Sequence, residues 1–198
     1  MRTILRVTGP DREHFLQGLV TNDVRRAPVW AALLTPQGKY LADLFIVPDG
    51  ESLLIDVDAR LADDLLRRLS MYKLRAAVEL APTELQVTRG TGTAPDGAIP
   101  DPRHPALGWR LYGARGDDGT DWDAIRVAHV IPESGIELVP NESFILAAGF
   151  ERVVVKHRLD HHELARVRGL GLVAGLARHR QRFGVHGHRV GEAPGASV

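Results

Sequence analysis

The chain has 198 residues, of which 44% are hydrophobic and 25% charged, enough for one sizeable domain or two small ones. Its 25 Lys and Arg balance 25 Asp and Glu, so a formal net charge of +0 argues against electrostatic binding of nucleic acid or membrane as the main activity. With no cysteine there is no disulfide, thiolate metal site or cysteine nucleophile, and no apolar run approaches the roughly 20 residues of a membrane span.

Met1-Arg2-Thr3-Ile4 starts at once with strand-like residues and lacks the apolar core of a signal peptide, so the expected location is the cytoplasm. Thr3 to Val7 reads as a strand. Gly9-Pro10-Asp11 opens a helix with Phe15, Leu16 and Leu19 on one side, expected to end between Val20 and Val24. Asn22 and Asp23 are turn formers. Val29 to Leu34 and Tyr40 to Val47 are apolar runs joined by Thr35-Pro36-Gln37-Gly38, a hairpin signal with Pro presetting φ and Gly suited to a tight reversal. Strand alternation places Lys39 and Asp43, four residues apart, on one face, as a salt bridge or the start of a site. Pro48-Asp49-Gly50 turns the chain into a third strand, Ser52 to Val57.

From Ala59 to Tyr72, Leu61, Leu65, Leu66 and Leu69 recur at helical spacing with Asp63, Asp64, Arg67 and Arg68 between them, predicting an amphipathic helix with its Leu face inward. Strands follow at Arg75 to Leu80 and Glu84 to Thr88. Arg89 to Pro105 has no period and reads as a long loop, functional or a boundary. Leu107 to Tyr112 returns to strand, Trp122 to Val130 is a helix begun by Thr120 or Asp121, and Ile131-Pro132-Glu133-Ser134-Gly135 breaks it. A short apolar segment, Phe144 to Phe150, ends this pattern.

Beyond Glu151 the chain is rich in His, Arg and Gly. His157, His161 and His162 with Glu163 invite a metal reading, but the two-His helix motif is not met because His157 is followed by Arg158. Arg168-Gly169-Leu170-Gly171 follows no clear strand, and no phosphate loop, dinucleotide fingerprint or nucleophile elbow occurs. What remains is a polar set among apolar strands: Asn22, Asp23, Lys39, Asp43, Tyr72, Lys73 and Arg75. Taken singly, each is better read as a cap, turn or surface pair than as a ligand contact.

Phe15-Leu16-Gln17-Gly18-Leu19-Val20-Thr21-Asn22-Asp23-Val24 resembles the opening motif of the YgfZ family, folate-binding proteins related to the aminomethyltransferase (T protein) of the glycine cleavage system. The resemblance continues in order through Leu34-Thr35-Pro36-Gln37-Gly38-Lys39, Leu41-Ala42-Asp43, Tyr72-Lys73-Leu74-Arg75, Asp101-Pro102-Arg103, Leu107-Gly108-Trp109-Arg110, Ile131-Pro132-Glu133-Ser134-Gly135 and Pro140 to Phe150. It implies an α+β fold, antiparallel sheets with packed helices of the aminomethyltransferase folate-binding type, over 1–152 as one region or two interleaved subdomains. Residues 153–198 are then a divergent tail, a disordered segment or the remnant of a C-terminal β-barrel too short to close.

The family hallmark, Lys-Gly-Cys-Tyr-x-Gly-Gln-Glu, is missing or degenerate. Lys156-His157-Arg158-Leu159-Asp160-His161-His162-Glu163 keeps only the outer Lys and Glu. The resemblance implies a tetrahydrofolate-binding accessory protein, more a binder than a catalyst, that assists maturation or repair of iron–sulfur enzymes, including those that thiolate tRNA. Its implied partners are folate and iron–sulfur enzymes, with no direct nucleic acid and no membrane. The alternatives are a one-carbon enzyme of the aminomethyltransferase type and a truncated, inactive member. Asn22, Asp23, Lys39, Asp43, Tyr72 and Arg75 are the implied folate-binding residues. Arg75 and Lys39 suit the glutamate carboxylates of a folate, and Asp43 suits the N–H edge of its pterin. No catalytic residue and no metal ligand is expected.

Overall fold

The computed structural model describes residues 1–113, 116 and 119–148. Apolar residues at alternate positions build a five-stranded antiparallel sheet from β1 (Arg2–Thr8), β2 (Val29–Leu34), β3 (Tyr40–Asp49), β4 (Ser52–Asp58) and β5 (Glu79–Pro82), in the order β2-β3-β4-β1-β5. Both faces are apolar, which is why β2 to β4 read as nearly continuous hydrophobic runs. One face carries Leu5, Val7, Ala31, Leu33, Leu44, Ile46, Ile55 and Val57. Two helices cover it: α1 (Arg12–Gln17) through Phe15 and Leu16, and α2 (Ala59–Tyr72) through Ala62, Leu65 and Leu69. The Asp58 carboxylate caps α2 by accepting from the Arg60 amide at 2.8 Å.

The other face carries Ile4, Trp30, Ala32, Tyr40, Phe45, Val47 and Leu54. A second antiparallel sheet lies over it, β6 (Gln86–Gly90), β7 (Ile99–Pro100) and β8 (Trp109–Gly113) in the order β6-β8-β7, packing through Ile99 and Tyr112. Leu138 and Ile145, on the segment after α3 (Trp122–Ala128), complete that layer. The described residues therefore form an α+β arrangement of antiparallel sheets with helices packed on one side, as expected.

Three expectations change. The first helix stops at Gln17, because Val20 bridges to Leu33 and the Thr21 amide donates to the Ala32 carbonyl, drawing the chain into sheet pairing. The strand expected at 75–80 is confined to β5. Leu74 turns the chain at φ 40, and the Ala77 amide donates to the Asp11 carboxylate, tying this stretch to the start of α1. The supposed loop from Arg89 to Pro105 contains the end of β6 and all of β7.

Gly108 explains part of the Leu107-Gly108-Trp109-Arg110 motif. Its φ is 62, and a Cβ there would lie 2.1 Å from the Gly90 carbonyl oxygen, so only glycine lets the chain cross so close before entering β8. The reading of His157, His161, His162 and Glu163, the hallmark-like Lys156 to Glu163, the boundary at 152 and the barrel remnant all lie outside the described residues.

Leu65 is 1% exposed at the centre of the α2 interface, whereas Leu74 is 89% exposed. Leu65→Ala is expected to cost about 2–5 kcal/mol in urea unfolding and Leu74→Ala less than about 0.5 kcal/mol. Equal losses would contradict the burial of Leu65 at the α2 interface.

Candidate functional site

The expected pairing of Lys39 with Asp43 is undone by one residue. Across the hairpin Leu33 pairs with Ala42 but Leu34 pairs with Tyr40, which leaves Leu41 as the extra residue of a β-bulge. Leu41 and Ala42 both join the core on the helix side. Alternation restarts after them, so Tyr40 and Asp43, three apart, share the opposite face. Lys39 does not share it. Lys39 is half-buried and bridges in backbone to Phe144, while the Tyr40 amide donates to the Ser143 carbonyl.

Asp43, 4% exposed, meets neutral donors instead of a cation. Trp30 Nε1 donates to its Oδ2 at 2.9 Å, and the Tyr40 hydroxyl donates to its Oδ1 at 2.8 Å. Ser134 Oγ also donates to Oδ1 and stands 2.7 Å from the Tyr40 hydroxyl. Burial, reinforced by the Asp43 charge, drives the Tyr40 hydroxyl far above its ordinary pKa, so it remains a donor. Arg60 reaches the same loop, giving Nη2 to the Ser134 carbonyl at 2.7 Å. A side chain at Gly135 would strike that guanidinium, its Cβ 2.7 Å from Nη1, and φ there is 76. The Ser134-Gly135 turn thus closes over the hairpin through one carboxylate and one arginine.

A second cluster joins the two sheets. Asp56, in the middle of β4, is fully buried. It accepts from Arg2 Nε at 2.5 Å, from Arg110 Nη2 and from the Tyr112 hydroxyl at 2.9 Å. Arg110 Nη1 also reaches Asp101 at 3.1 Å, and Arg103 grips Asp101 through Nε and Nη2 at 3.0 and 2.9 Å. Phe45 lies beneath, its ring centroid 4.0 Å from the Arg110 guanidinium carbon and 5.2 Å from those of Arg2 and Arg103. Burial alone would push the Asp56 carboxyl up, but Arg2 and Arg110 more than reverse this and hold it at about 2. Asp101 is likewise lowered, its burial outweighed by Arg103 and Arg110.

These carboxylates are clamps: both oxygens of each accept from at least one protein donor. Ser134 touches Asp43 directly, with no histidine between them among the described residues, so no proton relay to a nucleophile is built. No group of three or more potential metal ligands occurs among the described residues. A cavity of about 230 Å³ lies beside the clusters, lined by Arg6, Asp49, Leu54, Ile99 and Tyr112 among others, and is smaller than the ~300 Å³ at which small-molecule pockets begin.

The six residues singled out from sequence do not converge. Asn22 donates to the Trp30 carbonyl at 2.9 Å and accepts from the Asp23 amide, which makes it a turn-former. Asp23 caps the 3₁₀ turn Val24–Arg26 and pairs with Arg25, whose hydrogen bond lowers its pKa. Asp43 is interior on one face of the large sheet. Tyr72, 47% exposed, is the last residue of α2, which covers the other face, and Arg75, exposed, lies three residues beyond it. None of the six lines the cavity. Sequence reasoning missed Asp56, Asp101, Arg103, Arg110, Tyr40 and Ser134 as interacting groups. The signal available was Asp56 within Leu53-Leu54-Ile55-Asp56-Val57, an acid placed where an apolar residue belongs.

No family model matches the chain. Curated proteins that it resembles are iron–sulfur cluster assembly factors. The IBA57 homologue of Pyricularia oryzae is 34% identical over 129 residues, covering 56% of this chain and 33% of that protein. The homologue of Mycosarcoma maydis is 32% identical over 173 residues, covering 69% and 43%. Human IBA57 is 28% identical over 182 residues, covering 70% and 51%. The chain thus spans about a third to a half of the length of these three relatives. All three are named mitochondrial proteins, which overturns the cytoplasmic expectation. The glycine cleavage system aminomethyltransferase T of Bartonella henselae shares 18% identity at a TM-score of 0.40, covering 43% of this chain and 25% of that one, too slight a likeness to carry an argument. The resemblance read from the motifs is met at the level of iron–sulfur cluster assembly factors.

Because the folded pKa of Asp56 is depressed from 3.8 to about 2, its contribution is fully present above pH 3.8 and is lost as pH falls towards 2. Urea unfolding is expected to show on the order of 2 kcal/mol of acid-dependent loss that Asp56→Asn abolishes; an unchanged acid slope in that variant would be the contrary result. Arg110→Met takes one partner from each of two buried carboxylates, leaving Asp56 with Arg2 and Asp101 with Arg103, and is expected to cost about 3 kcal/mol at pH 7, measured the same way.

Proposed function

We propose that this chain acts in iron–sulfur cluster assembly, in mitochondria, as a tetrahydrofolate-binding accessory protein and not as a catalyst. The observation that carries the assembly role is the alignment with human IBA57 over 70% of the chain. Tetrahydrofolate is the ligand implied by the motif resemblance. Arg75 and Tyr72, exposed at the end of α2, and the half-buried Lys39 are the residues we assign to ligand contact. A guanidinium or ammonium suits the glutamate carboxylates of a folate, and a Tyr ring suits stacking. Asp43 is enclosed by Trp30, Tyr40 and Ser134, so we assign it to positioning the hairpin and the Ser134 turn instead of to the pterin edge. Asn22 and Asp23 shape the turn that precedes β2.

Calorimetric titration with tetrahydrofolate is expected to saturate for the wild type and to weaken several-fold for Arg75→Ala and Tyr72→Ala, with thermal melts as a check on folding. Failure of the wild type to saturate would remove the ligand, and equal affinity in both variants would move the site. Turnover of a methylamine donor by the bound complex would make the protein a transferase. Depleting the protein is expected to lower the activity of iron–sulfur enzymes and to spare enzymes without clusters; loss in neither group would end the assembly reading.

A further inference from the structure

The polar layer between the sheets leaves one cation over. Arg89 on β6 stands directly opposite Arg110 on β8, so two guanidinium groups share one face of the small sheet. Like charges in that relation destabilise a strand pair unless something neutralises them. Arg110 has Asp56 and Asp101, Arg103 has Asp101, and Arg2 has Asp56. Arg89 has no such partner. Among the described residues it makes no ion pair and no side-chain hydrogen bond, and its guanidinium carbon sits 4.3 Å from the ring centroid of Trp122. An indole face steadies a positive charge but accepts none of the five guanidinium N–H groups. The acid facing it from the segment after α3 is Glu133, which is shared with Arg126 at 3.4 Å.

Four guanidinium groups, Arg2, Arg89, Arg103 and Arg110, thus crowd two clamp carboxylates, Asp56 and Asp101, and Arg89 is the one of the four that makes no ion pair among the described residues. Burial, with Arg110 and Arg103 nearby, lowers Arg89 to about 10 against the opposing pull of Glu133 and Asp101, so it is still charged at neutral pH. A planar fork fixed against an aromatic ring presents its N–H edge to a tetrahedral oxyanion in bidentate fashion.

We propose that Arg89, seated on Trp122 beside Arg103 and Arg110, is a binding site for a phosphate group, free or as a monoester. The site does not rest on the folate reading, and its test uses no folate. Inorganic phosphate, glycerol phosphate and malonate are titrated at low salt into the full chain, into Arg89→Met and Arg89→Lys, and into Arg67→Met as a surface control. Calorimetry and Trp fluorescence report binding. The expected result is one saturable phosphate per wild-type chain, roughly tenfold or more weaker in Arg89→Met, intermediate in Arg89→Lys and unchanged in Arg67→Met. Without phosphate, Arg89→Met is expected to melt no lower than the wild type, since it removes an unmatched charge, and phosphate raises only the wild-type melting temperature. Tighter glycerol phosphate than inorganic phosphate supports the site with an ester as its source, and the reverse supports it with the free anion. No saturation by the wild type, equal affinity in Arg89→Met, or a preference for malonate would each overturn the proposal. So would a lower melting temperature of Arg89→Met combined with no phosphate response in the wild type, which is the signature of a purely structural arginine.

Discussion

An ionised carboxylate in the middle of a core strand is tolerable only if opposite charge and hydrogen bonds arrive with it. Asp56 is such a group, and the second sheet brings what it requires: Arg110 and the Tyr112 hydroxyl from β8, with Arg2 from the neighbouring β1. This pairing decides how the layers stack. Apolar contact alone would let the small sheet slide over Ile4, Phe45 and Leu54 at little cost, because dispersion is not directional. A guanidinium bridging Asp56 and Asp101 over the Phe45 ring admits one register. The motifs around Asp101, Gly108 and Arg110 read naturally as parts of that lock.

The Asp43 cluster performs the same service with neutral donors, two residues along β3 from Phe45, the residue opposite Asp56. Trp30 and Tyr40 come from the consecutive strands β2 and β3, and Ser134 from the turn after α3, 91 residues beyond Asp43. Their meeting depends on the bulge at Leu41, which puts Tyr40 and Asp43 on one face. These two clusters make the described residues a rigid support. Their carboxylates are occupied, so ligand chemistry falls to side chains with N–H groups still open, at the rim of the sheets and on exposed turns. That division separates holding from binding and explains why a set of charges picked from apolar strands mixes the two roles.

Much of the architecture was legible. The Leu spacing from Ala59 to Tyr72 named α2 to the residue, and the Thr-Pro-Gln-Gly turn named the hairpin, because helix periodicity and turn chemistry are local properties. The placement of Lys39 opposite Asp43 failed for a reason no pattern contains: a single unpaired residue in the ladder inverts every side chain before it. The strand expected at 75–80 failed because Asp11, more than sixty residues earlier, takes the Ala77 amide out of reach of a sheet edge.

By itself, then, the order of residues determined the elements, the two apolar faces of the large sheet, and a likeness to proteins of iron–sulfur cluster assembly. Only the tertiary structure decided which charges belong to the core and which remain for a ligand. Asp101 looks no different in sequence from Asp23 or Asp49, and the apolar runs around Asp43 and Asp56 do not say which partners will meet them. Their roles follow from burial, and burial depends on which distant arginine, tyrosine or tryptophan arrives to satisfy each one. The same reason isolates Arg89. Which arginine is left without an ion pair depends on how the charges around it are shared, and that sharing exists only in three dimensions.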